Sequence, residues 1–288
     1  MQSAEHRWLS RDGLSLSARD YAGRSDRLPV VCIPGLTRNA RDFEDLAPRI
    51  VDVSGRRVVA LDLRGRGASD HDPNPKNYKP ATYANDVLAL MASLKLKRAI
   101  FIGTSLGGFV TMTLAAKRLS VIGAAVLNDI GPRVETVGLD RIASYAGKTP
   151  SISDWADAAA YAKHTNGLAF PDFQDEDWDR FAHRIFNQRA DGGPTPSYDP
   201  NVFQPVSKLA ALLAVPLVWG AFRRLARHRP VLVIRGELSD ILSETTVQKM
   251  RRGAKAFSYA EVPKVGHAPT LSEAAAQDAI HEFLAAAP

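Results

Sequence analysis

Ala99-Ile100-Phe101-Ile102-Gly103-Thr104-Ser105-Leu106-Gly107-Gly108-Phe109 joins a short apolar run to a segment of helical periodicity through a turn centred on a serine. A G-x-S-x-G string alone is a weak signal. Its setting makes it informative, because a strand before and a helix after would hold Ser105 on a sharp, strained turn, with glycines two residues away on either side making room for the backbone. The helix N-terminus would add a positive dipole beside the hydroxyl. Neither a Gly-Lys-Ser/Thr phosphate loop nor a G-x-G-x-x-G spacing is present.

Working outward, Val30 to Ile33, Arg57 to Leu61, Ala124 to Leu127 and Val231 to Ile234 read as further buried strands. Helical patterns at Thr82 to Leu94, Leu106 to Leu119 and Ser272 to Leu284 lie between and after them. This alternation predicts an α/β fold, a mostly parallel twisted sheet with helices on both faces and ligands at the carboxyl ends of the strands. At the start, Asp12-Gly13 predicts an antiparallel hairpin. The alternation fails between Gly131-Pro132 and Arg229-Pro230, where helical patterns and aromatic residues gather. The expected organisation is a core over 1–130, an inserted helical cap over 131–230 and a second core segment over 231–288.

A serine hydroxyl is a poor nucleophile until a base takes its proton, and the base needs a carboxylate to fix its tautomer. Of seven histidines, His267 is the best placed, in the loop Val262-Pro263-Lys264-Val265-Gly266-His267-Ala268-Pro269 after a strand-like run. The acid is expected at Asp240, in Arg235-Gly236-Glu237-Leu238-Ser239-Asp240, with Glu237 as its rival. Asp129 ends a strand-like run just before the cap and reads as a hydrogen-bonding residue of the hinge, the alternative being a pocket residue.

The order Ser105, Asp240, His267 resembles that of the α/β-hydrolase superfamily, and the resemblance runs from the hairpin to the last helix. Ile33-Pro34-Gly35-Leu36 and Asp62-Leu63-Arg64-Gly65-Arg66-Gly67-Ala68-Ser69-Asp70 agree with it, although Pro34 stands where that family usually has histidine. The resemblance implies an oxyanion hole formed by the backbone N–H groups of Leu36 and Leu106. Asp62 and Arg64 are expected to pin their loop. Arg38 is read as a candidate substrate contact or a partner of Asp42, and the cap residues Trp155 and Trp219 as further candidate contacts.

With 288 residues, 45% of them hydrophobic and 24% charged, the chain can bury a large core, which excludes disordered and collagen-like classes. A single cysteine, Cys32, cannot form an internal disulfide, so a cytoplasmic home is expected. The net charge of +6 is spread along the chain, and the densest run, Arg223, Arg224, Arg227 and Arg229, reads as a solvated helix face. No nucleic-acid or membrane partner is therefore expected, nor a signal peptide, a metal or a cofactor. Oligomeric state, a homo-oligomer included, stays open. The expected activity is that of a serine hydrolase opening a small carboxylic ester or lactone through an acyl-enzyme. The alternatives are cleavage of a C–C bond, an amide or a formamide on the same fold, or a receptor that binds ligand without turnover. Ala268 stands where similar C–C hydrolases often carry tryptophan, which lowers the first of these.

Overall fold

The computed structural model of the chain describes residues 2–148, 151–204 and 208–288. Strands β1 (Ala4–Leu9) and β2 (Ser15–Tyr21) form the antiparallel hairpin, with Gly13 at φ +89° where a side chain would be strained. Next come β3 (Val30–Ile33), α1 (Leu46–Ser54), β4 (Val58–Leu61), α2 (Pro80–Ser93), β5 (Ala99–Thr104), α3 (Leu106–Arg118) and β6 (Ile122–Asn128). The next segment carries α4 (Thr136–Tyr145), α5 (Trp155–Asn166), α6 (Asp175–Ile185), a small hairpin of β7 (Phe186–Gln188) with β8 (Pro194–Pro196), and α7 (Lys208–His228). The chain closes with β9 (Val231–Gly236), α8 (Glu244–Arg252), β10 (Phe257–Val262) and α9 (Ala274–Ala286).

The eight-stranded sheet has the order β1-β2-β4-β3-β5-β6-β9-β10, and every pair from β4 to β10 is parallel. The two-residue period of each strand divides the core into two layers. Val31, Ile33, Ala125, Leu127, Val231 and Val233 face one layer, shared with residues of α2, α3 and α7. Val30, Cys32, Ala124, Val126, Leu232 and Ile234 face the other, under α1 and α9. Because both faces are covered, the central strands are continuously apolar, which is what made them legible in the sequence.

Between β6 and β9, helices α5 and α6 bury Phe170, Trp178 and Phe181 against one another as a small core of their own. Helix α4 docks on the loop after β9, with Glu135 N–H donating to Ile241 C=O at 3.0 Å and Gly138 N–H to Asp240 C=O at 3.2 Å. The second half of α7 behaves differently: Phe222, Leu225 and Ala226 are fully buried in the layer that covers the sheet, beside α3. The expected cap over 131–230 is corrected at its C-terminal end, because burying three apolar side chains on the sheet, at ~1.5–3 kcal/mol for a large one, ties this helix to the core.

Candidate active site

Ser105 sits between β5 and α3 at φ 52°, ψ −113°, a left-handed backbone that a non-glycine residue adopts only under constraint. The constraint comes from both sides. A Cβ on Gly103 would collide with the Gly107 carbonyl, and one on Gly107 would collide with the carbonyl of Ile33, so only glycines allow the elbow to fold this tightly against the loop after β3. The Ser105 N–H donates to Asn128 C=O at 3.0 Å, which fixes the turn to the end of the neighbouring strand.

His267 reaches the serine from the loop after β10. Its Nε2 lies 2.9 Å from Ser105 Oγ, and its Nδ1 lies 2.7 Å from Asp129 Oδ2. The imidazole is 7% exposed and the Asp129 carboxylate fully buried. Asp129, at φ 52° directly after β6, is turned inward, and its Oδ1 accepts from Gly236 N–H at 2.9 Å while Oδ2 accepts from the Ser239 hydroxyl at 2.6 Å. A carboxylate receiving those donors is an acceptor only, so His267 presents Nδ1–H to it and leaves the Nε2 lone pair facing the serine proton. Asn128 holds the same loop from below by donating to Pro269 C=O at 2.8 Å.

Asp240, the expected acid, forms no hydrogen bond to His267 among the described residues and has a different partner. Its carboxylate receives Arg141 Nε at 2.6 Å and Nη2 at 2.8 Å, joining the loop after β9 to α4. Burial pushes Asp240 upward, but the Arg141 hydrogen bonds and charge outweigh it and hold the carboxyl below its ordinary value. Glu237, the rival, accepts from Lys264 N–H at 2.7 Å and so braces the histidine loop. The strand ends of β6 and β9 are neighbours, and the left-handed turn at Asp129 decides which carboxylate meets the imidazole.

A cleft of about 80 Å³ opens over these groups, lined among others by Leu36, Arg38, Ser105, Tyr145, Phe170 and His267. Leu36 thus borders the cleft, and Leu106 opens α3 immediately behind the serine. The loop carrying Leu36 is held by Arg66, a buried guanidinium whose Nε donates to Leu36 C=O at 2.9 Å. Asp62 accepts from Ala40 N–H at 2.7 Å and Ala68 N–H at 2.9 Å, and Arg64 is tied up by Asp12, Asp72 and Asp86. Arg38 pairs with Asp42 at 2.6 Å and lies 4.2 Å from the centre of the Phe181 ring, still at the cleft wall.

The two tryptophans expected to touch substrate do not line this cleft. Trp155 stacks on His183 with centroids 3.8 Å apart and donates to Gly192 C=O at 3.3 Å. Trp219 packs edge-on to Phe222 and lines a separate cleft beside α7 and α8. Among the described residues, the aromatic side chains of the inserted segment that line this cleft are Tyr145 and Phe170, and burial raises the Tyr145 hydroxyl above its ordinary titration.

A model of the alpha/beta hydrolase family matches residues 30–280. The chain belongs to this family. It is 33% identical over 252 residues to a 3-hydroxybutyrate-oligomer hydrolase of Cupriavidus necator, covering 85% of this chain and 84% of that one. A 2-(acetamidomethylene)succinate hydrolase of Mesorhizobium japonicum is 28% identical over 233 residues, 81% of this chain and 79% of the relative. Among solved structures, an alpha/beta hydrolase from Novosphingobium aromaticivorans superposes with a TM-score of 0.90 at 41% identity, over 99% of both chains. The α/β-hydrolase fold expected from the strand–serine–helix segment is thus the fold of the chain, and the chain is a hydrolase. Among the described residues, no helix of this α/β hydrolase is long and apolar enough to cross a membrane.

Proposed function

We propose that this hydrolase opens a small carboxylic ester or lactone through an acyl-enzyme on Ser105, with His267 as the base and Asp129, rather than Asp240, as the residue that orients it. The observation that carries the reading is the unbroken chain of hydrogen bonds from Asp129 through His267 to Ser105, at 2.7 and 2.9 Å. In the first half-reaction Ser105 Oγ bonds to the carbonyl carbon while His267 Nε2 takes its proton, and Asp129 stabilises the imidazolium. The oxyanion accepts from the N–H groups of Leu36 and Leu106, each worth ~3 kcal/mol in such a role. Collapse breaks the C–O bond, and His267 returns the proton to the leaving alcohol. Water, deprotonated by the same imidazole, then attacks the acyl group, so that acid is released and the serine restored.

The short cleft favours a small acyl group, and the relative named for 3-hydroxybutyrate oligomers makes esters between short hydroxy acids the first substrates to try. The test is turnover of p-nitrophenyl acetate and butyrate, of 3-hydroxybutyrate dimers and of matching amides, together with mass spectrometry after a fluorophosphonate probe. The expected result is ester turnover and one adduct on Ser105, both lost in Ser105→Ala. Amides cleaved faster than esters, or an adduct elsewhere, would overturn the reading.

A further inference from the structure

From Leu212 onward, helix α7 is buried on one side only. Its outer side changes character along its length: Leu212, Leu213 and Leu217 are 67%, 66% and 76% exposed in the first half, and Arg223, Arg224 and Arg227 are exposed in the second. At 100° per residue these six lie within an arc of about 140°. Leucines exposed together on one helix face are a cost in water that needs a reason. Beside the cationic half lies a cleft of about 370 Å³ between α7 and α8, walled by Arg133, Trp219, Arg223, Lys249 and Arg252. No acidic side chain lines it, and none of its four cations forms an ion pair among the described residues. Trp219 lies under the Arg223 guanidinium at 5.6 Å, an aromatic beside cations and leucines.

We propose that this face is a docking surface for an anionic lipid bilayer, with the leucine half of α7 entering the headgroup boundary and the cations of the cleft meeting lipid phosphates. Arg223, Arg224 and Arg227 are exposed, as the sequence reading of a solvated helix face expects, and the proposal departs from the sequence analysis only in giving that face a membrane partner. Charge selects the occupant. A second copy docked about a two-fold axis through the leucines would cover them but leave the cations of both copies unpaired, whereas an anionic surface neutralises them. A nucleic acid would use the arginines and leave the leucines in water. An interfacial helix uses both, through buried apolar area and attraction to anionic headgroups, and needs no membrane-spanning length.

Co-sedimentation of the full chain with vesicles tests the proposal, comparing equal mixtures of phosphatidylglycerol and phosphatidylcholine with phosphatidylcholine alone. The expected result is binding at least about tenfold stronger to the anionic vesicles, weakened by salt. Arg223→Ser/Arg252→Ser is expected to lower that binding by about twenty-fivefold, at about fivefold per cation removed. Leu213→Ser/Leu217→Ser is expected to weaken it strongly, with hydrolysis of a water-soluble ester unchanged in both variants as the check on folding. No binding by the wild type, equal binding to both vesicle types, or binding untouched by either pair of substitutions would overturn the proposal. So would a stable dimer in light scattering that the leucine substitutions dissolve, since it would assign the face to a second copy.

Discussion

The Ser239 hydroxyl donates at 2.6 Å to the same oxygen of Asp129 that His267 Nδ1 contacts at 2.7 Å. One carboxylate oxygen thereby contacts both the imidazole and the loop after β9, and under the proposed reaction Ser239 is expected to act as a positioning residue. Ser239→Ala is expected to lower kcat by about tenfold, the scale of one hydrogen bond to a charged group, while KM for a small ester and Tm change little. An unchanged kcat would mean that Gly236 N–H and the left-handed turn alone suffice to aim Asp129.

The pair of Arg141 with Asp240 is expected to contribute stability rather than chemistry. Asp240 titrates below its ordinary value of 3.8 in the fold, with burial opposed and outweighed by Arg141. For an acid so depressed, the contribution is complete above the ordinary value and is lost as pH falls through the folded one. The Tm of Asp240→Asn should therefore lie a few degrees below wild type at neutral pH. The gap should close on acidification below pH ~4. A gap that persists unchanged into acid would assign it to something other than the ion pair.

Gly107→Ala is expected to damage the elbow itself. Its Cβ would meet the Ile33 and Pro34 carbonyls, which are backbone and cannot turn aside. Overpacking of this kind costs ~1–3 kcal/mol or more. Thermal unfolding should show the loss, and fluorophosphonate labelling of Ser105 should slow by at least about tenfold. Labelling at the wild-type rate in a stably folded variant would show that the two loops are not held as tightly as described.

Substrate ranking should answer to Tyr145 and Phe170, which line the cleft, and not to Trp155 or Trp219, which lie elsewhere. Across p-nitrophenyl esters of increasing acyl length, Phe170→Ala and Tyr145→Ala are expected to shift relative kcat/KM toward longer chains by about tenfold, the scale of a few methylenes of pocket. Trp219→Ala should leave the order unchanged. The reverse pattern would move the acyl pocket to another part of the inserted segment.

The sheet was legible because strands covered on both faces must be continuously apolar, and the turn at Ser105 because glycines flank it on both sides. The proximity of His267 to Ser105 could be anticipated from a glycine- and proline-flanked loop after the last strand. The carboxylate could not. Asp129 and Asp240 both lie between Ser105 and His267 in the chain and at the ends of adjacent strands, so order and spacing do not separate them. What separates them is a left-handed backbone at Asp129 and a long-range partner, Arg141, for Asp240. The tryptophans misled for a related reason, since a bulky residue on a helix reveals that something is covered but not which side faces the site. Trp219 sits on the helix whose second half covers the sheet.

The assignment of the acid is tested most directly by steady-state kinetics of Asp129→Asn beside Asp240→Asn on one soluble ester. Asp129→Asn is expected to lower kcat by about 10³–10⁴, because an amide at this position favours the wrong imidazole tautomer. Asp240→Asn should keep kcat within about fivefold of wild type, since its carboxylate faces Arg141 and acts on the imidazole only from a distance. The opposite ranking, with Asp240→Asn crippled and Asp129→Asn active, would contradict the hydrogen-bonded chain from Asp129 through His267 to Ser105 as the working arrangement.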